Sequence, residues 1–485
     1  MTILYGLIVV FLVLAGIFAS KVLFSISRRR YYQKQGIKFT RTYPFIGSEI
    51  AISDLITKNK TRDYLYVGDK KADLIGSIRG FDIQLYAVNR PTTDILINPK
   101  TIGTYIDRDT PALYSFGQLS PQALTFTPIR TEMFQERKAN ILRGFKLDLM
   151  DDVSLRLSQE YIADNAGGDM LDMRSLVASW TRDVMGEFVW GRSAMSAEIP
   201  FKDEQGHEQK VKFMVALNET FTRLRYYSNQ FWNRVYFPFA TWPVTKESRY
   251  LQFNIRSLQD HLEIALKEQP DPNSVSYDVV KQNNECGISK IVTRDDLLTI
   301  SIAGLDTVQS MILATLFYLL IPENKNWKNA ITHAADGADR ERIVEACISE
   351  AIRIDPPGSV INNKVVQDFE FSVSGRQYVL KKGTRIMPNI HALHAEYGEA
   401  YDPGKYLDLE TKKDLYVMPF GRGRRSCPGQ TIGQIMATNF VREFITRYPD
   451  ATIANREDAN IRFNNISRSK LIVMLPRVNT IKAAE

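Results

Sequence analysis

The chain has 485 residues, with 62 Lys and Arg against 55 Asp and Glu and only three cysteines. At 44% hydrophobic and 24% charged it is neither disordered nor fibrous. Three cysteines supply neither a disulfide framework nor an all-cysteine zinc site, and the net charge of +7 raises nucleic acid or a membrane surface as a partner.

The position of that charge decides between the two. Residues 1–20 carry no charged side chain, and residues 21–41 carry Lys21, Arg28, Arg29, Arg30, Lys34, Lys38 and Arg41 with no acid. The whole excess lies there, so residues 42–485 sum to zero. A nucleic-acid-binding domain carries basic charge on its own folded surface, so no nucleic-acid partner is expected. Residues 3–19 are an uncharged apolar run. Extended to residue 26, with Lys21 snorkelling, the run reaches the about 20 residues a bilayer core requires. Residues 1–27 are therefore read as a single-pass transmembrane anchor in contact with membrane lipid. Residues 28–43 are read as a basic linker held on the cytosolic side by the positive-inside rule. A cleaved signal peptide is the competing reading, and it lacks its basic n-region. A buried core helix is another. Pro44 breaks the local pattern and opens a single body over residues 44–485.

Apolar spacing at i, i+3 and i+4 predicts helices over residues 131–150, 173–190, 210–227, 247–267, 340–354 and 430–447. The longest, over 294–321, has Thr293 and Asp296 as a capping box and Pro322 as its stop. Strands are expected over 80–88, 369–373, 377–380, 385–387 and 471–474. The expected class is mainly α with a minor β-sheet.

One cysteine stands apart, in the run from Met418 to Gln430. Gly421, Gly423 and Gly429 allow tight turns and close approach to a flat ligand. Cys427 precedes a helix N-terminus and is surrounded by arginines, conditions that favour a thiolate able to bind metal. Phe420, Gly423, Arg425, Cys427 and Gly429 are spaced Phe-x-x-Gly-x-Arg-x-Cys-x-Gly. This resembles the haem-binding signature of the cytochrome P450 family. The resemblance implies the P450 fold behind an N-terminal transmembrane helix, haem b as cofactor, and Cys427 as the axial ligand of its iron. It also implies Phe420 packed beside the sulfur, Gly421 in the cofactor-binding loop and Arg425 paired with a haem propionate. Cys286 and Cys347 lack such a setting and read as ordinary thiols.

Three further stretches extend the resemblance. Glu350 and Arg353, followed by Pro356-Pro357, share a helix face at i, i+3. A solvated surface pair is the plain reading; the family's Glu-Arg pair, which locks the cysteine loop's scaffold, is the implied one. Lys405 stands where the family carries Arg, and lysine cannot form the planar fork. Ala303-Gly304-Leu305-Asp306-Thr307 places a glycine and a polar pair in the middle of the longest helix. A back-bonded or solvent-facing pair is one reading. The resemblance implies that Gly304 leaves room for oxygen, Thr307 bonds the reacting oxygen and Asp306 supplies protons. Arg137, with Met133 in place of the family's Trp, and Lys364 are expected as further propionate contacts, against a plain surface lysine for the latter. The aromatic run from Tyr226 to Trp242 is either core or the roof of a pocket. Substrate contacts are expected from 114–126, 300–307, 359–363 and 463–466.

The resemblance implies a membrane-anchored haem-thiolate monooxygenase that oxidises a lipophilic small molecule. No Gly-x-Gly-x-x-Gly follows a strand and there is no room for flavin domains. Electrons are therefore expected from a separate NADPH-cytochrome P450 reductase-type flavoprotein, docking on Arg422, Arg424, Arg137 and Lys138. The expected location is the endoplasmic reticulum, with the body cytosolic. The alternatives are a haem-thiolate isomerase or dehydratase acting on a peroxide, and a non-catalytic haem-binding membrane protein.

Overall fold

The computed structural model describes residues 2–42, 47–48, 72–79, 81–108, 117–165, 169–229, 245–268, 270–459 and 470–475. The break at Pro44, the aromatic residues at 231–242, and the expected pocket segments 114–116 and 463–466 lie outside them. The longer helices are α1 (Thr2–Gln33), α2 (Arg90–Ile97), α3 (Glu132–Gly144), α4 (Leu147–Asp164), α5 (Met173–Trp190), α6 (Phe213–Asn229), α7 (Lys246–Ala265), α8 (Val275–Glu285), α9 (Lys290–Leu320), α10 (Gly337–Ile354) and α11 (Gln430–Arg447). The strands are β1 (Lys38–Phe39), β2 (Leu74–Arg79), β3 (Asp82–Ala87), β4 (Ile106–Arg108), β5 (Met170–Asp172), β6 (Glu198–Lys202), β7 (Glu208–Lys212), β8 (Asn363–Val365), β9 (Phe369–Val373), β10 (Arg376–Leu380), β11 (Arg385–Pro388), β12 (Thr452–Ile453) and β13 (Ile472–Met474). The mainly helical class read from the periodicity is the one observed.

Two compact units result: residues 1–113, 226–241 and 360–393, and residues 114–225, 242–359 and 394–485. The first holds a six-stranded sheet in the order β1-β2-β3-β11-β8-β4. Within it β2 and β3 form an antiparallel hairpin, and β11 joins β3 in parallel. The hairpin β9–β10 turns on Ser374 and Gly375, both at positive φ, the geometry of a two-residue I′ turn. The expected linker is not one. α1 continues through Arg28–Arg30 to Gln33, and Tyr32 is fully buried in the sheet's core. Its hydroxyl meets Thr384 Oγ1 at 2.6 Å and accepts the Lys381 N–H at 2.9 Å. Burial of one such aromatic is worth about 1.5–3 kcal/mol, which ties this end of α1 to folded protein.

The second unit is built on α9. Ser289 caps it by accepting the Val292 N–H, and the chain leaves it at Ile321, just before Pro322. The helix therefore begins four residues earlier than expected. Thr293 lies inside it, where its hydroxyl bonds the Ser289 carbonyl rather than capping. α9 packs against α5, α10 and α11, and α11 also packs on α4. Trp180 of α5 and Phe440 of α11 sit with ring centroids 4.8 Å apart, and Asn439 ties α11 to α4 through Asp151 and Ser154. Residues 131–150 form two helices, α3 and α4, because Phe145 and Lys146 are extended. Residues 210–212, expected to open a helix, belong instead to β7, which pairs with β6 as a surface hairpin.

Candidate active site

The residues from Met418 to Gly429 fold on themselves before α11 begins. Gly421 and Gly423 both lie at φ +71°, where an L side chain is strained. Gly421 N–H donates to the Met418 carbonyl at 2.9 Å, Ser426 N–H to Gly423 at 3.0 Å, and Cys427 N–H to Phe420 at 2.9 Å. The last bond closes the loop on Phe420 and fixes where the sulfur projects. The Gly429 N–H, at the head of α11, donates to that sulfur. Lys138 of α3 clamps the loop from outside, donating to the carbonyls of Arg424 at 3.0 Å and Ser426 at 3.1 Å. Arg425 Nη2 reaches the Thr127 carbonyl at 2.6 Å, with its guanidinium 4.4 Å from the centroid of Phe134.

The sequence led to a thiol of low pKa; the fold raises it. Burial is the largest cause and outweighs the Gly429 N–H and the charge of Lys138, which act the other way. The residue as a whole is nonetheless exposed. Among the described residues no three His, Cys, Asp or Glu side chains are grouped to hold an ion. A single recessed thiol fits a group that brings its other metal donors with it, as haem does. A coordinated metal deprotonates such a thiol outright.

The middle of α9 is buried on nearly every side, but Ala303 and Thr307 are exposed one turn apart, flanked by partly open Thr299, Ile300 and Gly304. That stripe is an accessible face inside an apolar helix. The Thr307 hydroxyl donates to the Ala303 carbonyl, the back-bonded arrangement, and its lone pairs remain available as acceptors. Asp306 forms an ion pair with Arg225 of α6. Burial raises the Asp306 pKa, and Arg225 and Arg174 oppose the rise. Gly304 also has a packing role. A Cβ there would meet the Met185 sulfur of α5 at 2.4 Å, so the glycine lets α9 pack closely on α5.

Glu350 and Arg353 are buried to 0% and 1% exposure. The guanidinium forks onto the carboxylate at 2.7 and 2.9 Å and donates to the carbonyls of His394 at 3.0 Å and Gly398 at 2.8 Å. Lys405, the departure from the family pattern, still reaches Glu350 Oε1, at 3.4 Å and through one contact only. The Asp402 N–H adds another bond to the same oxygen at 3.0 Å.

His394 was not singled out by the sequence. It is buried beside Arg353, and burial drives its pKa from 6.5 to about 4. Between those values the unfolded ring binds a proton and the folded ring does not. Its contribution is thus complete above about pH 6.5 and lost progressively toward pH 4, by roughly 3 kcal/mol at 1.4 kcal/mol per pH unit. Urea midpoints across that range should fall with pH in the native protein and fall less in His394→Gln.

Arg137 and Lys364 are the two further propionate contacts expected, and Arg137 shares Thr127 with Arg425 of the cysteine loop. Arg137 is buried and commits four N–H groups inside the protein: two to the Asp296 carboxylate at 2.9 and 2.6 Å, one to Thr127 Oγ1 at 2.7 Å and one to the Gln122 carbonyl at 2.7 Å. Buried to 3% exposure, it is not part of the expected docking surface. Lys364 lies in β8, opposite Arg385 and Asp107 in register. Arg225 was missed because 81 positions separate it from Asp306 and no local pattern joins them.

The family model described as cytochrome P450 matches residues 146–467. A curated relative, cytochrome P450 84A4 of Arabidopsis thaliana, is 27% identical over 326 residues, covering 58% of this chain and 60% of that protein. Another, cytochrome P450 monooxygenase cicH of Emericella nidulans, is 26% identical over 294 residues, covering 55% and 57%. The chain thus matches about three fifths of the length of these relatives. The solved structure of retinoic acid bound cyanobacterial CYP120A1 superposes with a TM-score of 0.71 at 15% identity, covering 91% of this chain and 99% of that one. At that identity it bears on the fold alone.

Proposed function

The chain belongs to the cytochrome P450 family, whose members are haem-thiolate iron enzymes, and from that premise we propose that it is a monooxygenase acting on a lipophilic small molecule with electrons from a separate reductase. The observation that carries the proposal is the closed cysteine loop, which presents one recessed sulfur under a backbone N–H at the head of α11. Cys427 would hold the haem iron through its sulfur, with Phe420 beside the sulfur and Arg425 as the cation for the haem carboxylates. When bound, the haem supplies oxygen activation, with the thiolate donating electron density that favours O–O cleavage.

The protein's own part is positioning and proton supply. Thr307 would accept a hydrogen bond from the reacting oxygen on the open stripe of α9 while its own hydroxyl donates to the Ala303 carbonyl. Asp306 is the proton store, and Arg225 sets how readily it fills. Removing the cation takes away a positive charge that lowers the Asp306 pKa. Arg225→Gln should therefore move the pH dependence of coupled turnover upward; a profile that does not move removes Arg225 from proton supply.

The exposed apolar residues of α1, from Tyr5 to Ile26, are compatible with membrane anchoring. We place the anchor in the endoplasmic reticulum with the body cytosolic, since Arg28, Arg29 and Arg30 close the apolar stretch. Arg422 and Arg424 are exposed beside the cysteine loop and form the proposed reductase docking surface. Reductase-supported oxygen uptake tests the reading. Uptake should require the reductase and rise with compounds that perturb the haem spectrum on binding. Haem binding with no uptake under any compound would mark a non-catalytic haem protein. Conversion of a lipid hydroperoxide without reductase would mark an isomerase.

A further inference from the structure

α10 ends at Ile354, and a helix leaves its last carbonyls without intrahelical donors. The Ala351 carbonyl is taken by the Asp355 N–H at 2.7 Å. The Arg353 carbonyl is taken by His394 Nδ1 at 3.0 Å, and Arg353 Nη1 returns a bond to the His394 carbonyl at 3.0 Å. Nε2 of the same ring faces the Met418 N–H at 2.9 Å. A backbone N–H only donates, so Nε2 is the bare nitrogen and Nδ1 carries the proton. One neutral tautomer satisfies both contacts, and burial that holds the pKa near about 4 keeps the ring neutral. Beyond Met418 the bonds continue into the loop, from Gly421 N–H to the Met418 carbonyl at 2.9 Å and from Cys427 N–H to Phe420 at 2.9 Å. A second tie runs alongside, from the Tyr416 N–H to the Tyr397 hydroxyl at 2.7 Å.

We propose that His394 is a positioning residue for the cysteine loop, coupling Cys427 to the buried Glu350–Arg353 pair through its two ring nitrogens. The proposal rests on the reading of Cys427 as the haem ligand. Glu350 and Arg353 make no hydrogen bond with the loop that the structure records, whereas His394 bonds Arg353 on one side and Met418 on the other. The pair's rigidity reaches the sulfur through this imidazole. A protonated ring would turn a donor toward the Met418 N–H and break the loop-side contact.

Side-chain geometry separates the two bonds. Asn places a donor near Nδ1 but is too short for Met418. Gln places an acceptor near Nε2 but gives up the donor to Arg353. Leu keeps bulk and loses both. The test uses the full haem-loaded chain, reading the thiolate-type band of its reduced carbonyl complex and amide exchange of the peptide containing Met418. His394→Asn and His394→Leu should lose most of the band on mild warming, with Met418 exchanging about tenfold faster, the effect of one lost hydrogen bond. His394→Gln should keep the Met418 protection near the native level but, without the donor to Arg353, retain only part of the band. Equal behaviour of Asn and Gln, or a Leu variant that keeps the band and the protection, overturns the proposal. If Leu does not fold, the Asn and Gln comparison decides alone. A native protein with no thiolate-type band would sink the Cys427 reading, and the exchange data would still settle whether His394 holds the loop.

Discussion

Cys427→Ser is expected to reduce reductase-supported turnover to background and to remove the thiolate-type band from the reduced carbonyl spectrum. The substitution exchanges one atom. The bonds that shape the loop are made by backbone groups of Phe420, Gly421, Gly423 and Cys427 and by Lys138, none of which it touches. The fold, followed by circular dichroism, should be unchanged. What is lost is the one soft donor at the head of α11, because a serine oxygen does not supply the electron density of a thiolate. A variant that retained the native band would show that another residue ligates the iron.

Arg353→Met is the second large effect. It strands the Glu350 carboxylate, 0% exposed, with one long contact to Lys405 and the Asp402 N–H. Removing one partner of a buried pair costs about 3–5 kcal/mol, while replacing both with apolar side chains of similar volume is far cheaper. Denaturant unfolding should therefore rank native, then Glu350→Met with Arg353→Met together, then Arg353→Met alone. The carbonyls of His394, Gly398 and Ala400, which the guanidinium satisfies, explain why the double variant should not match the native protein. If the single and double variants fell equally, the carboxylate would not be the source of the cost.

The parts of this site that could be read from the sequence are those whose spacing is local. The cysteine signature fits within ten residues, and Glu350 with Arg353 within one helical turn, so each carried its own geometry. α5 and α11 were placed to the residue because both apolar faces are regular. The failures came from contacts across the fold. The dipole and the arginines around Cys427 pointed to a low pKa, but burial, which no linear pattern shows, wins in the structure. Gly304 showed as a small residue with no sign of Met185 behind it. Asp296 looked like half of a capping box, yet Arg137 from α3 claims it. Arg225 and His394 needed the fold outright, although His394 gave a faint signal as one of only five histidines, in a short apolar stretch.

Turnover under isotope-labelled dioxygen, with reductase and a lipophilic compound that perturbs the haem spectrum, tests the central claim most directly. The account predicts one labelled oxygen atom in the product for each molecule converted, with NADPH consumed in step. A product carrying no label, or formed from a hydroperoxide without reductase, would contradict it.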